Sequence, residues 1–257
     1  MNRIDELIRL KKNRILSVYF TAGYPSVGFT VEIIKSLAKA GADIIEIGIP
    51  FSDPLADGPV IQKSSTVALK NGMRLSLLFE QLKWIRKETD VPLILMGYLN
   101  PALKYGFENF CSRCADTGID GIILPDLPPE IFREQYSEIF SKCGLYNILL
   151  ISPQTGPQRV RYIDTVTQGF IYMVSASSVT GIRRSFTDEQ ISYFKRISGM
   201  NLSHPLMIGF GISDRRAFND ACNYANGAII GSAFIKMLEE KGTSFRNIKK
   251  FIENIKG

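Results

Sequence analysis

Three carboxylates occur close together in one stretch of the chain, at Glu46, Asp53 and Asp57. Glu46 interrupts an isoleucine-rich run of strand length, where removing a carboxylate from water costs free energy unless partners stabilise it or its pKa rises. Asp53 and Asp57 follow in a loop that also contains several prolines, which restrict the backbone and hold its shape. Ionisable groups on a rigid strand and a stiff loop predict a site for acid–base chemistry.

The elements that must position these groups alternate regularly along the chain. Apolar segments of strand length recur, each followed by a helical pattern, at residues 15–20, 43–49, 92–97, 120–125, 147–151, 169–175, 205–210 and 227–232. Their continuous apolar character is typical of parallel strands that are buried on both faces. We therefore expect an α/β protein with a (β/α)8 TIM barrel and an extra N-terminal helix over residues 2–12, forming a single domain over residues 1–257.

Glycines follow the last two predicted strands, at Gly209, Gly211 and Gly231, and Ser232 begins the helix after them. Glycine lets backbone N–H groups approach an anion closely, and a helix N-terminus adds free N–H groups and a favourable dipole. Barrels of this class commonly bind phosphate at this pair of loops. A further glycine, Gly181, follows the sixth strand. These glycines predict phosphate binding, although each one alone would also fit a tight turn.

Composition limits the remaining functions. The net charge of +6 permits an anionic substrate, but the basic residues are dispersed and form no nucleic-acid-binding module, so we expect no nucleic-acid partner. No apolar run is long enough to cross a membrane and no signal peptide is evident, so we expect a cytoplasmic protein. The four cysteines are expected to be free thiols, and Cys111 and Cys114 share a helical core face rather than forming a metal site.

Several segments carry, in order, the motifs of one known family. They lie at residues 20–25, 46–62, 96–101, 124–128, 179–181 and 209–213, and the second of them contains all three carboxylates. Through these motifs the chain resembles the tryptophan synthase alpha chain family over nearly its whole length. The resemblance implies a carbon–carbon lyase that cleaves indole-3-glycerol phosphate to indole and D-glyceraldehyde 3-phosphate, in the last steps of L-tryptophan biosynthesis. It also implies no cofactor in this chain and a pyridoxal-phosphate-dependent beta chain as partner in an alpha2beta2 heterotetramer.

The resemblance also assigns roles to residues. Glu46 and Asp57 match the two catalytic carboxylates: Glu46 suits a group that donates and accepts protons, and Asp57 one that stabilises positive charge at the indole nitrogen. Tyr172 matches a residue near the catalytic Glu that orients its carboxyl, and Thr180 matches a residue of a loop that closes over the site. The residues expected to bind substrate are Phe20, Tyr172, Thr180, Gly181, Gly209, Phe210, Gly211, Gly231 and Ser232.

Alternatives remain open at this stage. Glu46 could form a structural ion pair, Asp57 could belong to a simple turn, and the predicted pocket aromatics could be core residues. Asp53 and Asp126 stay outside the catalytic set. The segment after strand six departs from the family pattern. An arginine is expected soon after the strand, whereas here residues 175–178 intervene and Arg183 and Arg184 come later. A catalytically weak interaction subunit that mainly activates the beta chain is therefore the alternative function; another phosphate-binding barrel, such as a triose- or ribulose-phosphate enzyme, is disfavoured by the Glu46-to-Asp57 motif.

Overall fold

The computed structural model describes residues 1–174, 186–209 and 211–257, which form one parallel sheet surrounded by helices. Every pair of neighbouring strands is parallel, as the alternation of strands and helices predicts. The strands in this part of the chain are Ile15–Thr21 (β1), Ile44–Gly48 (β2), Leu93–Met96 (β3), Gly121–Ile123 (β4), Tyr146–Asn147 (β5), Leu149–Ile151 (β6), Ile171–Val174 (β7), Leu206–Gly209 (β8) and Gly227–Ile230 (β9).

The fifth strand of the barrel is interrupted, and this interruption explains the strand count. β5 pairs with β4 and β6 pairs with β7, and Ile148 alone separates the two pieces. Next to the break, the Leu149 N–H donates to the hydroxyl of Thr167, a residue 18 positions further along the chain, at 3.0 Å. β5 and β6 are the two ends of the strand order. Because they belong to one segment of the chain, the sheet closes into a ring. The predicted (β/α)8 barrel with eight strand positions is confirmed.

Helices cover the outside of the ring. In the described residues they are Arg3–Leu10 (α1), Thr30–Ala40 (α2), Pro59–Lys70 (α3), Leu75–Leu82 (α4), Leu99–Tyr105 (α5), Phe107–Asp116 (α6), Pro129–Ile131 (α7), Ser137–Cys143 (α8), Pro157–Val166 (α9), Asp188–Ser198 (α10), Arg215–Cys222 (α11), Ser232–Lys241 (α12) and Phe245–Lys256 (α13). Cys111 and Cys114 of α6 are fully buried free thiols, which confirms that they belong to the core. None of the helices described is long and apolar enough to span a membrane.

The inside of the barrel is filled by one layer of apolar side chains at its amino-terminal end. The strands and the residues next to them contribute Ile15, Ile44, Ile94, Ile123, Ile148, Phe170, Met207 and Ile229. Ile4 of α1 joins this layer and is fully buried, so the predicted N-terminal helix closes that end of the barrel. Asn2 fixes the helix, because its side chain accepts from the Ile4 N–H at 2.9 Å and donates to the Asp120 carbonyl at 2.8 Å.

Successive side chains on a strand point to opposite faces, so the next inward positions lie two residues further along each strand. On β1 these positions are Ser17 and then Tyr19, and on β2 the position after Ile44 is Glu46. The apolar layer at the base is therefore followed by a polar layer nearer the carboxyl ends of the strands. Barrel enzymes carry their chemistry at this end.

Candidate active site

Glu46 is a fully buried carboxyl group with two unlike oxygens. The Ser17 hydroxyl donates to Oε1 at 2.7 Å, whereas Oε2 has no hydrogen-bond partner among the described residues. Burial raises the pKa of Glu46 to about 7, and the hydrogen bond from Ser17 acts in the opposite direction. No lysine or arginine in the described part of the chain contributes to this pKa, which argues against the structural ion pair. A carboxyl group with a pKa near neutrality is suited to exchanging protons in both directions.

Asp57 lies in the loop between β2 and α3 and is held by Tyr98. The Tyr98 hydroxyl donates to Asp57 Oδ2 at 3.1 Å and accepts from the Ala56 N–H at 2.9 Å, so one side chain holds both the carboxyl and the backbone of the preceding residue. The Tyr98 ring also contacts Phe51, with 5.2 Å between ring centroids. Partial burial raises the pKa of Asp57 to about 6, while the bond from Tyr98 lowers it. Asp57 is therefore largely ionised at neutral pH.

Two buried tyrosines share the space around these carboxyl groups. The pKa of Tyr19 and that of Tyr172 are both raised, first by burial and then by the negative charges of Asp57 and Glu46. Both phenols therefore stay neutral. Glycines make room for them, since a side chain on Gly48 would collide with the Tyr19 hydroxyl and one on Gly209 would collide with the Tyr172 hydroxyl.

The predicted anion position borders the same tyrosines. Gly209 ends β8, Gly231 directly precedes α12, and a side chain added at Gly231 would approach the Tyr19 ring to 3.3 Å. Ser232 is the exposed first residue of α12, whose first-turn N–H groups have no partners within the helix. Gly211 has a φ of 78°, which favours glycine. Gly209 and Gly231 thus lie beside the tyrosines of the carboxyl site, and the binding of phosphate by these glycines and Ser232 stays a prediction.

Not every predicted site residue lies here. Phe20 is fully buried, but it lies on the opposite face of β1 from Tyr19, which pairs with Glu46 and takes the inward position. Tyr172 lies near Glu46, but the hydrogen bond to the carboxyl comes from Ser17. Asp126, which was not predicted as a site residue, accepts from the Leu99 N–H at 2.9 Å, at the start of α5. Thr180, Gly181 and Phe210 lie outside the described residues.

Three residues of the site were missed by sequence reasoning, namely Ser17, Tyr19 and Tyr98. The alternation along β1 was the available signal for the first two, because Ser17 and Tyr19 share the parity that faces inward. Tyr98 lies in the motif at residues 96–101 but was given no role there. Within residues 1–174, 186–209 and 211–257, no group of His, Cys, Asp or Glu side chains is arranged to hold a metal ion.

The fold and the site define a class of protein, namely a TIM-barrel enzyme whose buried carboxyl group is suited to acid–base chemistry. The family model described as tryptophan synthase alpha chain matches residues 6–256. The tryptophan synthase alpha chain of Flavobacterium psychrophilum is 58% identical over 255 residues, which cover 99% of this chain and 100% of that protein. The chain belongs to the tryptophan synthase alpha chain family.

Solved structures agree with this membership. The tryptophan synthase alpha chain from Legionella pneumophila superposes with a TM-score of 0.86 at 34% identity, covering 100% of this chain and 99% of that one. A chain of the tryptophan synthase complex from Pyrococcus furiosus gives 0.84 at 34% identity, covering 93% and 96%. The family catalyses the cleavage of indole-3-glycerol phosphate, a lyase reaction, so the predicted alpha-subunit function and carbon–carbon lyase class are confirmed.

Proposed function

We propose that Glu46 and Asp57 are the catalytic carboxyl groups with which this chain cleaves indole-3-glycerol phosphate to indole and D-glyceraldehyde 3-phosphate. The observation that carries the proposal is the fully buried Glu46, whose pKa of about 7 and partnerless Oε2 suit a proton carrier. The ionised Asp57 and the glycines around α12 supply the two further requirements of the reaction, charge stabilisation and phosphate binding.

Glu46 acts twice in the proposed reaction, first as an acid and then as a base. Protonated Glu46 gives its proton to C3 of the indole ring, which places positive charge on the ring nitrogen. The resulting carboxylate takes the proton from the hydroxyl on the adjacent side-chain carbon. The bond between C3 and that carbon then breaks, its electrons return to the ring, and the carbon becomes the aldehyde of glyceraldehyde 3-phosphate. Glu46 ends protonated, so the cycle balances and needs no cofactor in this chain.

Asp57 stabilises the positive charge that develops at the indole nitrogen. A carboxylate held in place before the reaction stabilises such charge at little reorganisation cost. The restraint of the Asp57 carboxyl and the Ala56 N–H by Tyr98 supports this role.

Replacing Tyr98 with phenylalanine tests the hold on Asp57. The variant loses the hydroxyl that bonds both Asp57 and Ala56, so we expect kcat/KM for indole release to fall about tenfold, the usual magnitude for a lost bond to a charged group. Because that bond lowers the pKa of Asp57, its removal should also shift the acidic limb of the pH profile upward. Replacing Tyr105, a tyrosine packed against Phe79, with phenylalanine is the control. An unchanged profile would contradict the role of Tyr98.

The substrate phosphate is assigned to Gly209, Gly211, Gly231 and Ser232, with Thr180, Gly181 and Phe210 remaining predicted contacts. The proximity of Gly231 to Tyr19 and of Gly209 to Tyr172 supports this assignment, because the same two tyrosines border the carboxyl groups. Tyr19 and Tyr172 are proposed as walls of the indole pocket, and Phe20 is not included.

We further propose a pyridoxal-phosphate-dependent beta chain as partner, in an alpha2beta2 assembly in the cytoplasm. The similarity to chains of solved tryptophan synthases, one of them described as a complex, supports such a partner. The loop that carries Asp57 also presents Leu55, a large apolar side chain that is 93% exposed, together with the exposed Asp53. A contact there would connect partner binding to the position of Asp57.

Indole release by the purified chain, with and without a beta chain, tests this function. We expect slow release from indole-3-glycerol phosphate alone and at least about a tenfold increase with the partner, since ordering of the site lowers the barrier. Absence of indole under both conditions would contradict the proposal. If the chain released no indole yet stimulated the beta chain, it would instead be the interaction subunit considered as the alternative.

A further inference from the structure

We infer that Ser17 is a positioning residue for the reaction: its hydroxyl holds Oε1 of Glu46 and so reserves Oε2 for the proton that is exchanged with substrate. This inference rests on the proposed role of Glu46. Both side chains are fully buried, and the Ser17 Oγ to Glu46 Oε1 distance is 2.7 Å. Because Oε1 is hydrogen-bonded and Oε2 is not, the two oxygens of Glu46 are not equivalent.

The unbonded oxygen marks the side of the carboxyl that faces the reaction. Buried polar atoms in native proteins are nearly always hydrogen-bonded, and an exception calls for an explanation such as a catalytic role. Oε2 of Glu46 is one such exception in the described residues. Because Ser17 donates to Oε1, that oxygen acts as acceptor, and the proton of the neutral carboxyl belongs on Oε2. Ser17 therefore determines which oxygen carries the proton and fixes the plane in which it lies.

The other groups packed around Glu46 do not replace this bond. β1 contributes Tyr19 as well as Ser17, β3 places the apolar Ile94 opposite Glu46 in register, and β7 contributes Tyr172. Asp57 lies on the loop that follows β2. Neither tyrosine is among the causes that move the pKa of Glu46: burial raises this pKa and the hydrogen bond from Ser17 lowers it. Among these groups Ser17 is the one that opposes burial.

The sign of the pH effect follows from the direction of this bond. A hydroxyl that donates to a carboxylate stabilises the ionised form and lowers its pKa. Removing the hydroxyl leaves burial unopposed, so the pKa of Glu46 rises. Since Glu46 must be protonated to begin the reaction, the basic limb of the pH profile of kcat/KM should then move to higher pH. A serine that served only to fill space would not move this limb.

The experiment compares Ser17→Ala, Ser17→Thr and Ser17→Cys in the assembled enzyme, with Thr117→Val as a matched control. The Thr117 hydroxyl is also buried, but it donates to backbone carbonyls at the end of α6 and is remote in sequence from β1 and β2. For Ser17→Ala we expect kcat to fall about tenfold, KM to stay within about twofold of wild type, and the basic limb to move upward. Ser17→Thr retains the hydroxyl and should restore both properties, and Thr117→Val should change neither.

Defined outcomes would overturn the inference. Wild-type kcat and an unmoved basic limb in Ser17→Ala would do so, as would a moved limb that Ser17→Thr does not restore. If Ser17→Ala does not fold, Ser17→Cys decides, because a thiol is a weak donor of nearly the same shape and should show the same shift. Glu46→Gln separates the two proposals: if it is inactive while Ser17→Ala behaves as wild type, the inference on Ser17 alone fails, whereas an active Glu46→Gln removes the basis of both.

Discussion

Replacing Glu46 with glutamine is expected to lower the rate of indole release by about 10⁴-fold, the upper range for loss of a general acid–base group. The amide keeps the shape of the side chain and its oxygen can still accept from Ser17, but it cannot donate and recover a proton at neutral pH. Turnover of indole-3-glycerol phosphate with the beta chain present measures the effect. Retained turnover would exclude Glu46 as the proton carrier.

The stability of the Glu46→Gln variant relative to wild type should also increase as the pH rises. The pKa of Glu46 is about 7 in the folded protein against an ordinary value of 4.5. Below pH 4.5 the carboxyl is protonated in both states; between pH 4.5 and 7 it ionises only in the unfolded chain, so the wild type loses stability as the pH rises. The difference in unfolding free energy between Glu46→Gln and wild type should therefore grow by about 3 kcal/mol up to pH 8.

Glu32→Gln provides the control for this pair of effects. Glu32 lies on the outer helix α2 with 61% of its side chain exposed, so the substitution removes the same charge without entering the barrel. We expect unchanged turnover and no growing difference in stability with pH. An inactive Glu46→Gln whose stability difference stayed constant from pH 4.5 to 8 would contradict the raised pKa, although not the catalytic role.

The strands were predictable from sequence because their apolar character is local. The interruption of the fifth strand was not, since it depends on the hydroxyl of Thr167, which lies beyond the following helix α9 and binds the Leu149 N–H. The helical segment after the fourth strand likewise contains a π-helical turn, at Phe132–Tyr136, between α7 and α8. A periodic pattern indicates where a helix runs, but not where its hydrogen bonds change partner.

The site was predictable only in part, for a related reason. Glu46 and Asp57 stand out because a carboxyl group in an apolar strand or a proline-rich loop is unusual by itself. Ser17 is an ordinary residue whose importance depends on register: it pairs with Ile44, and its hydroxyl reaches across to Glu46 on the neighbouring strand. Phe20 and Tyr19 are neighbours on β1, and a shift of one residue turns a side chain to the opposite face of a strand.

The proposed reaction begins with Glu46 protonated and Asp57 ionised, and the surroundings of each group favour that state. Glu46 is fully buried, with one oxygen unpartnered, so its proton stays bound up to a pH of about 7. Asp57 is nearer solvent and bonded to Tyr98, so it ionises above a pH of about 6. Between these values both groups are largely in the state that the proposed reaction needs, and kcat/KM should therefore show a bell-shaped pH dependence with limbs near 6 and 7.

Replacing Asp57 with asparagine should lower kcat by between about 10²- and 10³-fold, the range for loss of one preorganised electrostatic contact. Asparagine can still accept a hydrogen bond from the indole nitrogen but carries no charge to offset the positive ring. The acidic limb of kcat/KM should disappear, whereas the basic limb should stay near pH 7, because burial and Ser17, not Asp57, set the pKa of Glu46. The inhibition constant of inorganic phosphate should be unchanged, since the glycines and Ser232 are assigned to the anion. Survival of the acidic limb in Asp57→Asn would show that another group titrates there and would remove the assignment of Asp57 to the indole nitrogen.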